Sequence, residues 1–113
     1  MDLIAHLQEQ HAFAVHTFGP GLRDTALAAH VRKELVEVAE AADNVAAAEE
    51  WVDIMILASE AALRRLEAAG HGSPAMVLAA LLADKAAANR ERVWPDWRKV
   101  APGQPIEHDR THD

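Results

Sequence analysis

The chain contains no cysteine and no tyrosine, and only five glycines, five prolines and two phenylalanines among 113 residues. Without cysteine there are no disulfides, iron–sulfur clusters, thiolate zinc sites or cysteine nucleophiles. β-Branched residues are also scarce. Nine valines, four isoleucines and three threonines leave little material for strands. Positive charge is in short supply: eleven Lys and Arg against eighteen Asp and Glu give a net −7. That is the wrong sign for a protein that coats nucleic-acid phosphates, so no nucleic-acid partner is expected. The longest uncharged apolar run, Ala75 to Ala83, has nine residues, whereas a membrane span takes about twenty. The first residues, Met-Asp-Leu-Ile-Ala-His, lack a basic region followed by an apolar core, which reads against a secretion signal. The expectation is a cytoplasmic protein with no membrane partner.

Alanine is abundant, with 25 residues, and together with leucine it favours helices. The expected fold class is all-α, as a four-helix bundle. The length fits one small domain, and such a domain buries only about two-thirds of its unfolded surface. A partner copy is therefore expected, giving a homodimer or homotetramer.

Sequence punctuation sets the helices. Asp2 can cap a first helix to about His16, broken by Thr17-Phe18-Gly19-Pro20-Gly21. A second runs from Asp24 or Thr25 to about Ala42, with Leu27, Val31, Leu35, Val38 and Ala42 turned inward. After a break near Asp43-Asn44 comes a third, from about Ala46 to Ala69, stopped by Gly70 and Gly72. Ser73-Pro74 opens a fourth to about Val93. Residues 1–98 form the expected domain and 99–113 a flexible tail. Trp51, Val52, Ile54, Met55, Ile56 and Leu57 cover nearly the whole circumference of the third helix. That pattern places it at the centre of the fold or in a subunit interface.

Two acidic pairs carry the chemistry: Glu34 with Glu37, and Glu50 with Asp53. Each is spaced i,i+3, so its carboxylates share a helix face. With the turn centred near Asn44, Glu37 and Glu50 lie at matching distances from it, as do Glu34 and Asp53. An antiparallel hairpin thus brings all four carboxylates to one height. Like charges so close repel and raise one another's pKa, and a hard divalent cation relieves this through oxygen ligands. The bland alternative is a pair of solvated faces. On the fourth helix Lys85, Asn89 and Arg92 fall on one stripe that continues the core-facing Leu78 and Leu81. Cations turned inward need an anion: a polyphosphate, or the glutamates themselves.

Glu34-Leu-Val-Glu37, twelve residues, then Glu50-Trp-Val-Asp53 resembles the ExxE…ExxD signature of the all-α nucleoside triphosphate pyrophosphohydrolases, the MazG-like superfamily. Further motifs are similar to its phage and bacterial dATP/dGTP branch: Thr17-Phe-Gly-Pro-Gly21 with Arg23, His30-Val-Arg-Lys-Glu-Leu35, Lys85 with Asn89, Arg90 and Arg92, and Trp94-Pro-Asp-Trp-Arg98. The resemblance spans about residues 12–98. It implies hydrolysis of a purine (deoxy)nucleoside triphosphate to the monophosphate and pyrophosphate, with dGTP first and GTP or dATP as further substrates. It also implies Mg²⁺ or Mn²⁺, two or three ions per site, held by Glu34, Glu37, Glu50 and Asp53. The setting it implies is a bacterial or phage-infected cell, where the product dGMP feeds synthesis of 2-aminoadenine DNA. In that chemistry Glu34 and Glu37 are the catalytic carboxylates, with Glu37 chosen as base, and Lys85, Asn89 and Arg92 bind phosphate. Phosphoribosyl-ATP pyrophosphohydrolase shares the acidic pairs but not the Thr-Phe-Gly-Pro-Gly and Trp-Pro-Asp-Trp motifs. A non-catalytic helical oligomerisation module is the reading from another class.

Four residues have less determined roles. Glu60 lies on the stripe of Asp53 and is a candidate for a further ion, although the family's usual residue there is aspartate. His30 shares a stripe with Glu34 and Glu37; it can touch phosphate or hydrogen-bond a ligand carboxylate. Phe18 can stack on a base or staple the first helix to the second, and Arg23 can reach a phosphate. His6, His11 and His16, five residues apart, spread around their helix and do not form a metal pair.

Overall fold

The computed structural model describes residues 1–112, the side chain of His112 excepted. Four α-helices follow one another: α1 Leu3–Phe18, α2 Asp24–Glu40, α3 Asn44–Ala68 and α4 Pro74–Glu91. Two short 3₁₀ turns come after them, at Trp97–Lys99 and Arg110–His112, and there is no strand among the described residues.

Local chemistry explains the boundaries. Asp2 caps α1 by accepting a hydrogen bond from the Ala5 N–H at 3.1 Å, satisfying a donor that the first helical turn leaves free. The helix continues two residues past the expected His16 because nothing opposes it until Gly19, whose φ of +90° ends it. The break before α3 is shorter than expected. Asp43 alone serves as the cap, accepting from the Ala46 N–H at 2.8 Å, and the helix begins at Asn44. At the far end Gly70, at φ +91°, closes α3. The His71 N–H bonds to the Leu66 carbonyl and the Gly70 N–H to that of Glu67, the paired bonds of a Schellman stop.

The chain divides into two compact units, Met1–Ala79 and Ala80–Asp113. In the first, α2 and α3 are joined by a three-residue turn and pack along each other as an antiparallel hairpin, with α1 laid on α3. The core is small: Leu7, Leu63, Ala75 and Leu78 form a buried cluster flanked by Ile4, Ala62 and Leu66. The apolar belt of α3 is not enclosed within the chain, which corrects the central position and leaves the subunit interface as the alternative. Trp51 and Val52 are each half exposed and Met55 is 66% exposed.

In the second unit every side chain from Ala80 to Lys99 is exposed, Lys85, Asn89 and Arg92 included. This corrects the inward stripe expected for α4, whose buried positions end at Leu78. The segment expected as a flexible tail is tied back by the Asp109 N–H, which bonds to the Val93 carbonyl at 2.7 Å. The Trp94 ring meets His108 edge-on, and its indole N–H donates to the Asn89 carbonyl.

Candidate active site

The α2–α3 hairpin brings Glu34, Glu50 and Asp53 together, with one carboxylate oxygen from each lying within 4.8 Å of the others. The turn spans residues 41–43 and is centred at Ala42, two residues before the expected Asn44, so Glu34 and Glu50, each eight residues away, meet across it in place of Glu37 and Glu50. Glu34 is buried, Glu50 half-buried and Asp53 exposed, so the cluster opens to solvent on one side. His30, Glu34, Asp53, Ile56 and Leu57 line a groove of about 260 Å³ there. Glu37 is outside the trio but stands beside Glu34 and Glu50, close enough to shift both carboxyls.

The electrostatics are those of crowded carboxylates. The Glu34 carboxyl facing Glu50 pushes Glu50 up to about 7, reinforced by burial and then by Glu37. Glu34 is held below its ordinary value, first by hydrogen bonding from Glu50 and Glu37 and further by His30, against the opposing effect of burial. His30 Nε2 lies 3.1 Å from Glu34 Oε1 and donates to it when that nitrogen carries the proton.

Glu34 Oε2 and Glu50 Oε2 are both shut off from solvent, and neither has a hydrogen-bond partner. Buried polar atoms are nearly always satisfied, so two unpartnered carboxylate oxygens on neighbouring residues of one cluster point to an incomplete site. An all-oxygen donor set of this kind fits a hard divalent cation. Glu34, Glu50 and Asp53 are the residues able to hold one.

Glu60 is placed differently. Its Oε2 accepts from Arg23 Nη1 at 3.1 Å, and its Oε1 lies 3.6 Å from Arg64 Nη2, so both oxygens face guanidinium groups. Arg23 also stacks over the Phe18 ring, 5.1 Å from its centroid. Phe18 is half exposed and meets Phe13 edge-on.

Sequence reasoning missed Arg64, which is only 2% exposed. It donates to the carbonyls of Gly19 at 2.7 Å, Gly21 at 2.8 Å and Ala14 at 3.2 Å. Its position held a signal. Asp53, Glu60 and Arg64 follow at i, i+7 and i+11, one stripe of α3, and an arginine on a stripe that packs inward needs dedicated acceptors.

A family model described as dATP/dGTP pyrophosphohydrolase matches residues 7–113. The chain belongs to the dATP/dGTP pyrophosphohydrolase family. It is accordingly an enzyme, a nucleoside triphosphate pyrophosphohydrolase, and its substrate is a nucleoside triphosphate. Membership removes the non-catalytic module from consideration. No curated protein and no solved structure matches the chain. Glu34, Glu50 and Asp53 are a cluster in this dATP/dGTP pyrophosphohydrolase that could hold a metal ion, and no helix among the described residues is long and apolar enough to cross a membrane.

Proposed function

We propose that this enzyme hydrolyses dGTP in preference to dATP or GTP, releasing dGMP and pyrophosphate with Mg²⁺ or Mn²⁺ held by Glu34, Glu50 and Asp53. The observation that carries the metal reading is the pair of solvent-excluded, unpartnered oxygens on Glu34 and Glu50. Two or three ions per site and the guanine preference come from the resemblance of the motifs. Bound there, the cations would neutralise the triphosphate oxygens and make water more acidic.

The chain's own groups supply the rest. Glu37 takes the proton of the water that attacks the α-phosphorus in line, a role supported by its standing beside Glu34 and Glu50 without belonging to the trio. His30 fixes the orientation of Glu34 through its 3.1 Å contact, a supporting role common around ligand carboxylates. Lys85, Asn89 and Arg92 are exposed cationic and amide groups suited to the leaving pyrophosphate. Arg92 Nη1 donates to Asn89 Oδ1 at 2.8 Å, which keeps those two side chains together.

The enzyme works as a homodimer or homotetramer in the cytoplasm of a bacterial or phage-infected cell, and its dGMP supplies 2-aminoadenine DNA synthesis. The open apolar side of α3, with Trp51, Val52 and Met55, supports assembly.

The test is pyrophosphate release from the eight common dNTPs and NTPs with Mg²⁺ and with Mn²⁺, run beside Glu50→Gln. The expected result is release led by dGTP, absent with chelator and lowered roughly a hundredfold or more in the variant. Equal turnover of dATP and dGTP would refute the guanine preference, and release that persists in chelator would refute the metal site.

A further inference from the structure

We propose that Arg23 reads the imidazole edge of the purine base, and that Glu60 and Arg64 are positioning residues that hold it there. This rests on the reading of Glu34, Glu50 and Asp53 as the metal and triphosphate end of the site.

The Gly19-Pro20-Gly21 turn is fixed from beneath by the buried Arg64, whose Nη1 reaches the carbonyls of both glycines. Both glycines sit at φ +90°, with nothing near the place a Cβ would occupy. The turn is therefore held by that guanidinium and not by packing above it. Immediately after it comes Arg23. Its Nη1 is pinned at 3.1 Å by Glu60, itself 4% exposed, and its guanidinium carbon lies over the Phe18 ring, 5.1 Å from the centroid. A guanidinium carries five N–H donors, and among the described residues only Nη1 has a hydrogen-bond partner. The remaining donors belong to a flat, oriented group that is still partly open to solvent.

Glu60 lies seven residues beyond Asp53 on the same stripe of α3, about 10 Å along the axis. That separation is comparable with the reach from an α-phosphate across the sugar to a purine ring. Glu60 shares its one negative charge between Arg23 and Arg64, and its hydrogen bond fixes how Arg23 presents its remaining directional donors. Arginine pairs with N7 and O6 of guanine, whereas adenine offers N7 beside an amino donor and pyrimidines lack N7. One residue thus separates purine from pyrimidine and favours guanine over adenine.

The experiment compares kcat and KM for dGTP and for 7-deaza-dGTP, in which N7 is replaced by C–H. It uses the wild type, Arg23→Met and Glu60→Gln. In the wild type KM for the deaza substrate is expected to be higher on the order of tenfold, with the effect in KM and not in kcat. In Arg23→Met the ratio of the two KM values falls to near one. In Glu60→Gln it falls part of the way although Arg23 remains, a split that mere loss of stability would not produce. Equal KM values in the wild type, which need no variant to fold, would overturn the proposal, as would an undiminished ratio in Arg23→Met. Glu50→Gln, run alongside, addresses the metal end separately. Unchanged kcat there would count against the cluster as metal site without altering the KM ratio that reports on Arg23.

Discussion

At the scale of single residues the protein is dominated by anionic groups that lack counter-charge. Glu50 is pushed up to about 7 from its ordinary 4.5. Between those values the native chain holds a proton that the unfolded chain has released. In metal-free protein stability therefore falls as pH rises from about 4.5 to 7. Glu34, shifted down, acts in the other window: its contribution is present above 4.5 and is lost as pH falls through its lower native value. Melting temperatures measured in chelator should decline across the upper window in the wild type and flatten in Glu50→Gln. Parallel curves for the two proteins would show that Glu50 does not carry the effect. The carboxylates themselves were legible in the sequence because helix spacing and hairpin symmetry are arithmetic. The arginines were not, since a chain of letters does not say which acceptor a long flexible side chain will meet. Arg23 is paired with Glu60, and Arg64, at 2% exposure, is the most enclosed charge among the described residues.

At the scale of elements, caps and stops were readable to within two residues because Asp2, Asp43, Gly70 and Ser73-Pro74 act locally. The direction a helix faces depends on what lies beside it, which the local pattern of residues does not show. The α4 stripe of Lys85, Asn89 and Arg92 is exposed because the core stops at Leu78. The belt of α3 is half open at Trp51, Val52 and Met55, which sets aside a central position for the helix and leaves the subunit-interface alternative. Arg64 ties the end of α1 and the turn after it to α3 through three backbone carbonyls, beside the apolar contact of Leu7 with Leu63. Replacing it with methionine would strand three backbone carbonyls and remove one of the two cations facing the buried Glu60. The expected cost in urea denaturation is about 3 kcal/mol. A loss below about 0.5 kcal/mol would mean that the turn holds without its anchor.

At the scale of the whole molecule the balance of buried and exposed apolar groups is unusual. Few side chains of the first unit are fully enclosed, while Trp51, Val52, Met55 and Ile56 stand out on one helix. A chain of this size gains little from its own core, and a second copy laid on α3 would supply what is missing. Met55→Glu places a charge in the most open part of that belt. It should shift the particle mass in light scattering toward the single chain and lower the melting temperature together with it. A wild type that is already a monomer at micromolar concentration would contradict this assembly.

On the function proposed above, the α2–α3 hairpin holds a divalent cation between Glu34, Glu50 and Asp53. The most direct measurement is a Mn²⁺ titration followed by electron paramagnetic resonance, with wild type, Glu50→Gln and Asp53→Asn compared at equal folded concentration. The account predicts saturable loss of the free-ion signal in the wild type and its weakening by at least about tenfold in each variant. Equal binding by all three proteins, or none by the wild type, would contradict it.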